Sequence, residues 1–169
     1  MRTADWLRVR IGSSVFAFRT DAVQDVFTPG AMTPVPRASA EVAGILNLRG
    51  RIVTVIRAGR VLGLPDPVGP TDGQAVGFAM DGDLYGLWVD RVEDVVPIAD
   101  DAILAPPAVP DRWAGVVDGL ARVGGELVIV SRPAAFVFPS RSQVQSPSHS
   151  PVPAFAPLDP ETLLEAFAR

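Results

Sequence analysis

Apolar and polar positions alternate with a period of two in short runs along most of this chain. "WLRVRI" (6–11), "SSVFAFRT" (13–20), "RIVTVI" (51–56), "QAVGFAM" (74–80), "LYGLWV" (84–89) and "ELVIV" (126–130) are rich in β-branched and aromatic residues. Each is bounded by Gly, Asp or Pro, the pattern of strands separated by turns. In the first run Trp6, Arg8 and Arg10 alternate with Leu7, Val9 and Ile11, which predicts one wet and one buried face. "DGD" (81–83) and "VGG" (123–125) suit tight turns, because Gly reaches positive φ without a steric penalty. Strongly periodic helix is scarce before residue 138, so the expected class is all-β, a barrel or a sandwich.

The strand pattern repeats. "VRIGSSVFAFRTDAVQDVF" (9–27), shifted by 69 positions, lies over "FAMDGDLYGLWVDRVEDVV" (78–96). Asp21, Val23, Asp25 and Val26 then meet Asp90, Val92, Asp94 and Val95. "GILNLRGRIVTV" (44–55) has a looser echo in "GVVDGLARVGGELVIV" (115–130). The expectation is two small, similar β-units, each with a hairpin, a short helical turn and a second hairpin. Their boundary is expected near residue 70, giving units of about 1–70 and 71–138.

The pattern changes at Pro139. "PSRSQVQSPSHSPVPAFAP" (139–157) is rich in Ser and Pro and reads as a flexible linker, too poor in large apolar residues to offset its chain entropy. "LDPETLLEAFAR" (158–169) then reads as a short amphipathic helix. Asp159 is its N-cap, Pro160 its first helical residue, and Leu163, Leu164 and Phe167 its apolar stripe. Such a helix is marginal alone in water and is expected to dock, on its own barrel or on another protein.

Composition narrows the function. A net charge of −4 and a pI near 4.9 argue against nucleic acid as the main partner. All 15 Lys and Arg positions are Arg, scattered along the chain rather than gathered in a patch. Cysteine is absent, which excludes disulfides and thiolate sites. With no signal-peptide pattern and no apolar run of spanning length, the chain reads as cytoplasmic, without direct membrane insertion.

The residues for catalysis are missing. The only His is His149, inside the Ser/Pro segment, where no packed shell could tune it. Without Lys there is no phosphate-cradling P-loop and no Schiff base. No G-x-S-x-G elbow occurs. Glu93-Asp94 and Asp100-Asp101 are adjacent acids that point apart on a strand or loop, and read as solvated surface. No cofactor or metal site is expected. "NLRG" (47–50) remains: Asn47 and Gly50 suit a turn, and Arg49 is either a plain turn-tip charge or a recognition group. A guanidinium presents a planar fork to a carboxylate or to carbonyls and stays charged, so both readings stand on the residues alone.

"VAGILNLRGRIVTVIRAGRVLGLP" (42–65) resembles the signature segment of the CheW family, the coupling proteins of bacterial chemotaxis arrays. "VFAFRTDAVQDVF", "TPVPRASAEVAGILNLRG", "LYGLWVDRVEDVVPI" and "GLARVGGELVIV" extend the resemblance over about residues 5–138. It implies two similar five-stranded SH3-like barrels around a shared core. It also implies a non-enzymatic adaptor between the cytoplasmic tip of chemoreceptors and the regulatory domain of a CheA-type histidine kinase, placed at membrane-associated receptor arrays. Arg49 matches the family's signature Arg, and Asn47, Leu48 and Gly50 match its neighbours. Val23 and Val26 fall where the family contributes apolar groove residues, and Val89 and Asp90 fall on the side implied to bind the kinase. Arg57 departs from the pattern, standing where the family usually has Asp, and is expected to alter partner contacts beside the signature loop. "VSRPAAFVF" (130–138) also replaces the family's usual acidic finish. The alternative is a divergent barrel that binds a peptide or small ligand outside flagellar chemotaxis.

Overall fold

The computed structural model describes residues 2–65 and 73–137. The linker and terminal helix expected over 139–169 lie outside the described residues, as does His149. Ten strands follow in order: β1 (Thr3–Ile11), β2 (Ser14–Arg19), β3 (Asp25–Phe27), β4 (Val42–Leu48), β5 (Arg51–Arg57), β6 (Gln74–Met80), β7 (Asp83–Val89), β8 (Arg91–Ala99), β9 (Gly119–Val123) and β10 (Glu126–Ser131). Among the described residues helix is confined to α1 (Ala58–Leu62), α2 (Asp111–Ala114) and three 3-10 turns. The class is all-β, as the alternation predicts.

The strands form two five-stranded sheets, ordered β8-β1-β2-β10-β9 and β3-β6-β7-β5-β4, the two SH3-like barrels expected. In both, the leading hairpin is antiparallel and its second strand runs parallel to the last strand of another hairpin. Ile129 lies opposite Phe16 in one sheet, and Thr54 opposite Tyr85 in the other. The repeat seen in the sequence is therefore structural.

The sheets do not divide at residue 70. The β1–β2 hairpin shares its sheet with β8, β9 and β10 from the second half, and β6–β7 shares its sheet with β3, β4 and β5 from the first. Val26 pairs with Val76, and its repeat partner Val95 pairs with Leu7. Each repeat thus hands its third, fourth and fifth strands to the other repeat's hairpin. The physical cause is the turn after β2: Val23 N–H closes it on Thr20, and Gln24 N–H goes to Gly77 of the other half. The chain is then committed to pairing with β6 rather than returning to its own hairpin.

This exchange explains the core. Leu7, Val9, Ile11, Phe16 and Phe18 of one sheet pack against Ile56, Val76, Phe78, Leu87 and Val89 of the other, with Trp113 and Phe136 closing the layer. Phe16 and Phe18 are fully buried, and each large apolar side chain so placed contributes about 2 kcal/mol. A second cluster of Trp6, Val15, Ala17, Ile98, Ala121, Val128 and Val130 fills the inside of the first barrel.

The expected wet face of β1 is corrected by this cluster. Trp6 is buried, and the Arg8 side chain keeps only 17% of its exposure. A barrel strand has two covered faces, so alternation there separates core from barrel interior rather than core from water. A bulge in β8 sets Glu93 and Asp94 together against Arg8, because Val92 pairs with Val9 but Val95 pairs with Leu7. The adjacent acids are consequently paired, not merely solvated. Arg8 donates to both Asp94 oxygens at 2.6 and 2.8 Å, and Arg10 donates to Glu93 at 2.9 Å.

Candidate functional site

β4 and β5 close on Leu48 and Arg51, leaving Arg49 and Gly50 as the two turn residues. Both have positive φ, 55° and 84°, the conformation of a type I′ hairpin turn whose twist matches its strands. Asn47 prepares it: its Oδ1 accepts the Gly50 N–H at 2.8 Å. Arg49 pays for its place, since a residue with a Cβ loses roughly 1 kcal/mol in left-handed backbone.

Its guanidinium is thrust outward. The Arg49 side chain is 78% exposed, and Nη1 lies 3.0 Å from Asp25 Oδ2. Asp25 is itself oriented, its Oδ1 accepting the N–H of Val26 at 2.8 Å. Beside it Val26 is exposed on the edge strand β3, and Val23 packs half-buried against the shared core. An apolar edge and a held-out cation so adjoin on the second sheet. Such a pairing of apolar anchor and charged rim suits a protein partner.

The site residues suggested by the resemblance separate into two groups. Asn47, Leu48, Arg49 and Gly50 form the turn, and Asp25 brings Val26 beside it. Arg57 lies elsewhere, at the opposite end of β5, about 20 Å along the strand from Arg51. It donates to the Ala40 carbonyl at 3.4 Å, so it is not beside the signature loop as expected. Val89 is 1% exposed in the shared core and cannot touch a partner from there. Asp90 accepts the Gly12 N–H at 2.6 Å and ties the β1–β2 turn to the end of β7. Sequence reading missed Asp25 as the partner of Arg49, although its place in the repeated D-x-V-x-D-V motif was a signal.

Under the turn lies a cleft of about 210 Å³, bordered by Arg49, Asp25 and Arg51 and floored by Phe27, Val53, Phe78 and Tyr85. Among the described residues no cluster of three or more His, Cys, Asp or Glu could hold a metal ion. Titration is perturbed on the other sheet. Asp94 is held below the ordinary carboxylate range by the hydrogen bonds from Arg8. Burial pushes Glu93 up, but the bonds from Arg10 and Arg91 outweigh it and leave it lowered.

A sequence profile described as the CheW-like domain matches residues 5–137, nearly the whole of the two-sheet body. The chain belongs to the CheW-like domain family. The chemotaxis protein CheW of Thermotoga maritima is 31% identical over 123 residues, covering 73% of this chain and 80% of that protein. The chemotaxis protein CheW of Rhizobium meliloti is 28% identical over 138 residues, covering 79% and 86%. The crystal structure of the scaffolding protein TtCheW from Thermoanaerobacter tengcongensis has the same fold, with a TM-score of 0.73 at 24% identity, covering 80% of this chain and 92% of that one. As a CheW-like protein the chain is a non-enzymatic adaptor of the chemotaxis type. No helix among the described residues is long and apolar enough to cross a membrane.

Proposed function

We propose that this chain couples the cytoplasmic tip of chemoreceptors to the regulatory domain of a CheA-type histidine kinase, at membrane-associated receptor arrays. Arg49 and Val26 are the contacts we assign to that role, with Val23 supporting the edge and Asn47, Leu48 and Gly50 shaping the turn. The observation that carries the assignment is the exposed Arg49 guanidinium, presented from left-handed backbone and aimed along the surface by Asp25. A plain solubility charge has no need of that conformation.

Pull-down of a chemoreceptor cytoplasmic fragment and a CheA-type kinase by the full chain tests this reading. The wild type is expected to capture both, and Arg49→Glu to lose at least one while keeping its circular-dichroism spectrum. Undiminished capture of both by a folded Arg49→Glu variant would remove Arg49 from the interface.

A further inference from the structure

The two barrels share a plan but not an interior. In the first, Arg8 pairs with Ala17 across the β1–β2 hairpin and reaches over the barrel mouth to Asp94 and Glu126. In the second, the same places on the β6–β7 hairpin are held by Gly77 and Gly86. Trp6, opposite Arg19, has Ala75, opposite Trp88, as its counterpart. One barrel is plugged by an indole and a guanidinium. The other lacks the guanidinium: there buried Trp88 lies opposite Ala75, the Phe27 ring lies over Gly77 and Gly86, and beside Phe27 the 210 Å³ cleft opens.

Gly77 is not demanded by its backbone. A Cβ added there would sit 3.4 Å from Asp25 Cβ and 3.6 Å from Phe27 Cε1, ordinary van der Waals contact, and its φ is not in the left-handed region. Glycine inside a strand weakens it and often marks close approach of another molecule. Here it lies at the edge of the cleft, and with Gly86, where a Cβ would come 2.9 Å from Phe27 Cζ, it leaves room for the Phe27 ring.

The charge at the mouth is also changed. Where the first barrel sets Glu126 after its β9–β10 turn, the second sets Arg51 after its β4–β5 turn, and Arg49 stands where Gly124 does. Two cations and one carboxylate now face the opening, with aromatic walls beneath. Arg51 makes no ion pair among the described residues.

We propose that this cleft binds a small carboxylate with a compact aromatic or branched aliphatic body, the carboxylate meeting Arg51 and Arg49 and the body resting on Phe27, Phe78 and Tyr85. The size agrees: an apolar cavity of about 150 Å³ holds benzene, so about 210 Å³ accommodates a benzoate-sized molecule. The charge agrees as well, since a guanidinium pair favours a carboxylate over a neutral or cationic group of equal shape. The cleft shares Arg49 with the proposed partner interface, and its ligand binding is read with neither partner present.

The test is titration of the isotope-labelled full chain with benzoate, followed by amide shifts. Saturable shifts are expected at Gly77, Phe78 and the Arg49–Gly50 turn. Benzyl alcohol should bind about tenfold more weakly, the loss of one charge-assisted hydrogen bond. Gly77→Arg, which restores the plug of the other barrel with Asp25 as its counter-ion, should abolish binding while the chain stays folded. Gly77→Leu provides the same filling without the charge. Absence of saturable shifts at millimolar benzoate, equal binding of benzyl alcohol, or unchanged binding by both folded Gly77 variants would overturn the proposal. Partner capture is measured on the wild type without benzoate, so its failure counts against the adaptor reading alone.

Discussion

Arg49 and Gly124 occupy the same place in the two sheets. Each opens a two-residue turn, Arg49 at φ 55° before Gly50 at 84° and Gly124 at 56° before Gly125 at 84°. The φ angles agree to within a degree, yet one repeat uses the residue that fits and the other an arginine that does not. Conformational preference cannot be the reason for the arginine. Its guanidinium, which only the second sheet presents, supplies one.

Arg49→Gly therefore separates stability from function. The substitution relieves left-handed strain worth roughly 1 kcal/mol and gives up an exposed ion pair worth about 0–1 kcal/mol. Urea denaturation should show a chain as stable as the wild type or slightly more so, while partner capture falls. A clear loss of stability would instead make Arg49 a structural residue.

Asn47→Ala removes the acceptor of the Gly50 N–H at the same turn. An expected loss of about 1 kcal/mol is readable by denaturation, with the turn amides exchanging faster with solvent. Unchanged exchange at Gly50 would show that the turn holds without that bond.

Two glycines should respond oppositely to alanine. At Gly119 a Cβ would lie 2.7 Å from the Leu104 carbonyl, across a bridge in which Leu104 and Leu120 exchange both backbone hydrogen bonds. Gly119→Ala should lower stability by about 2 kcal/mol or more. Gly77→Ala meets only ordinary contacts and should be neutral or stabilising by up to about 1 kcal/mol. Equal effects would deny that Gly77 is spare.

The Arg8–Asp94 and Arg10–Glu93 pairs predict acid sensitivity. Both carboxylates titrate lower in the folded chain than their ordinary values of 3.8 and 4.5. Their contribution is present above those values and is lost as pH falls through the lowered folded ones. Thermal melts of wild type and Asp94→Asn should differ at neutral pH and converge at strongly acid pH. A constant difference across that window would mean that the ion pair is not what the substitution removes.

A chain ending at Pro139 should keep the melting temperature of the full chain, because the described residues before it already bury two core clusters. A large drop would place the terminal segment on the barrel rather than on a partner.

Much of this protein was legible before any fold was known. Period-two alternation identifies strands whatever they pair with, and the glycines of 81–83 and 123–125 mark turns because left-handed backbone is a local property. The offset of 69 positions exposed the repeat, since both hairpins meet the same local constraints. The "NLRG" turn was legible for that reason too, and the family resemblance added what its Arg could be for.

What alternation could not convey is which strands meet. The hand-over of β3 and β8 between repeats depends on distant pairings, Val26 with Val76 and Leu7 with Val95, and nothing in a strand's own sequence specifies its neighbour. From that pairing follow the burial of Trp6, the ion pairs of Arg8 and the burial of Val89. It also brings Asp25 to Arg49. The open cleft is decided the same way. Gly77 is an unremarkable residue until the fold gives it the place that Arg8 has in the other barrel and sets Phe27 against it at the edge of the cleft.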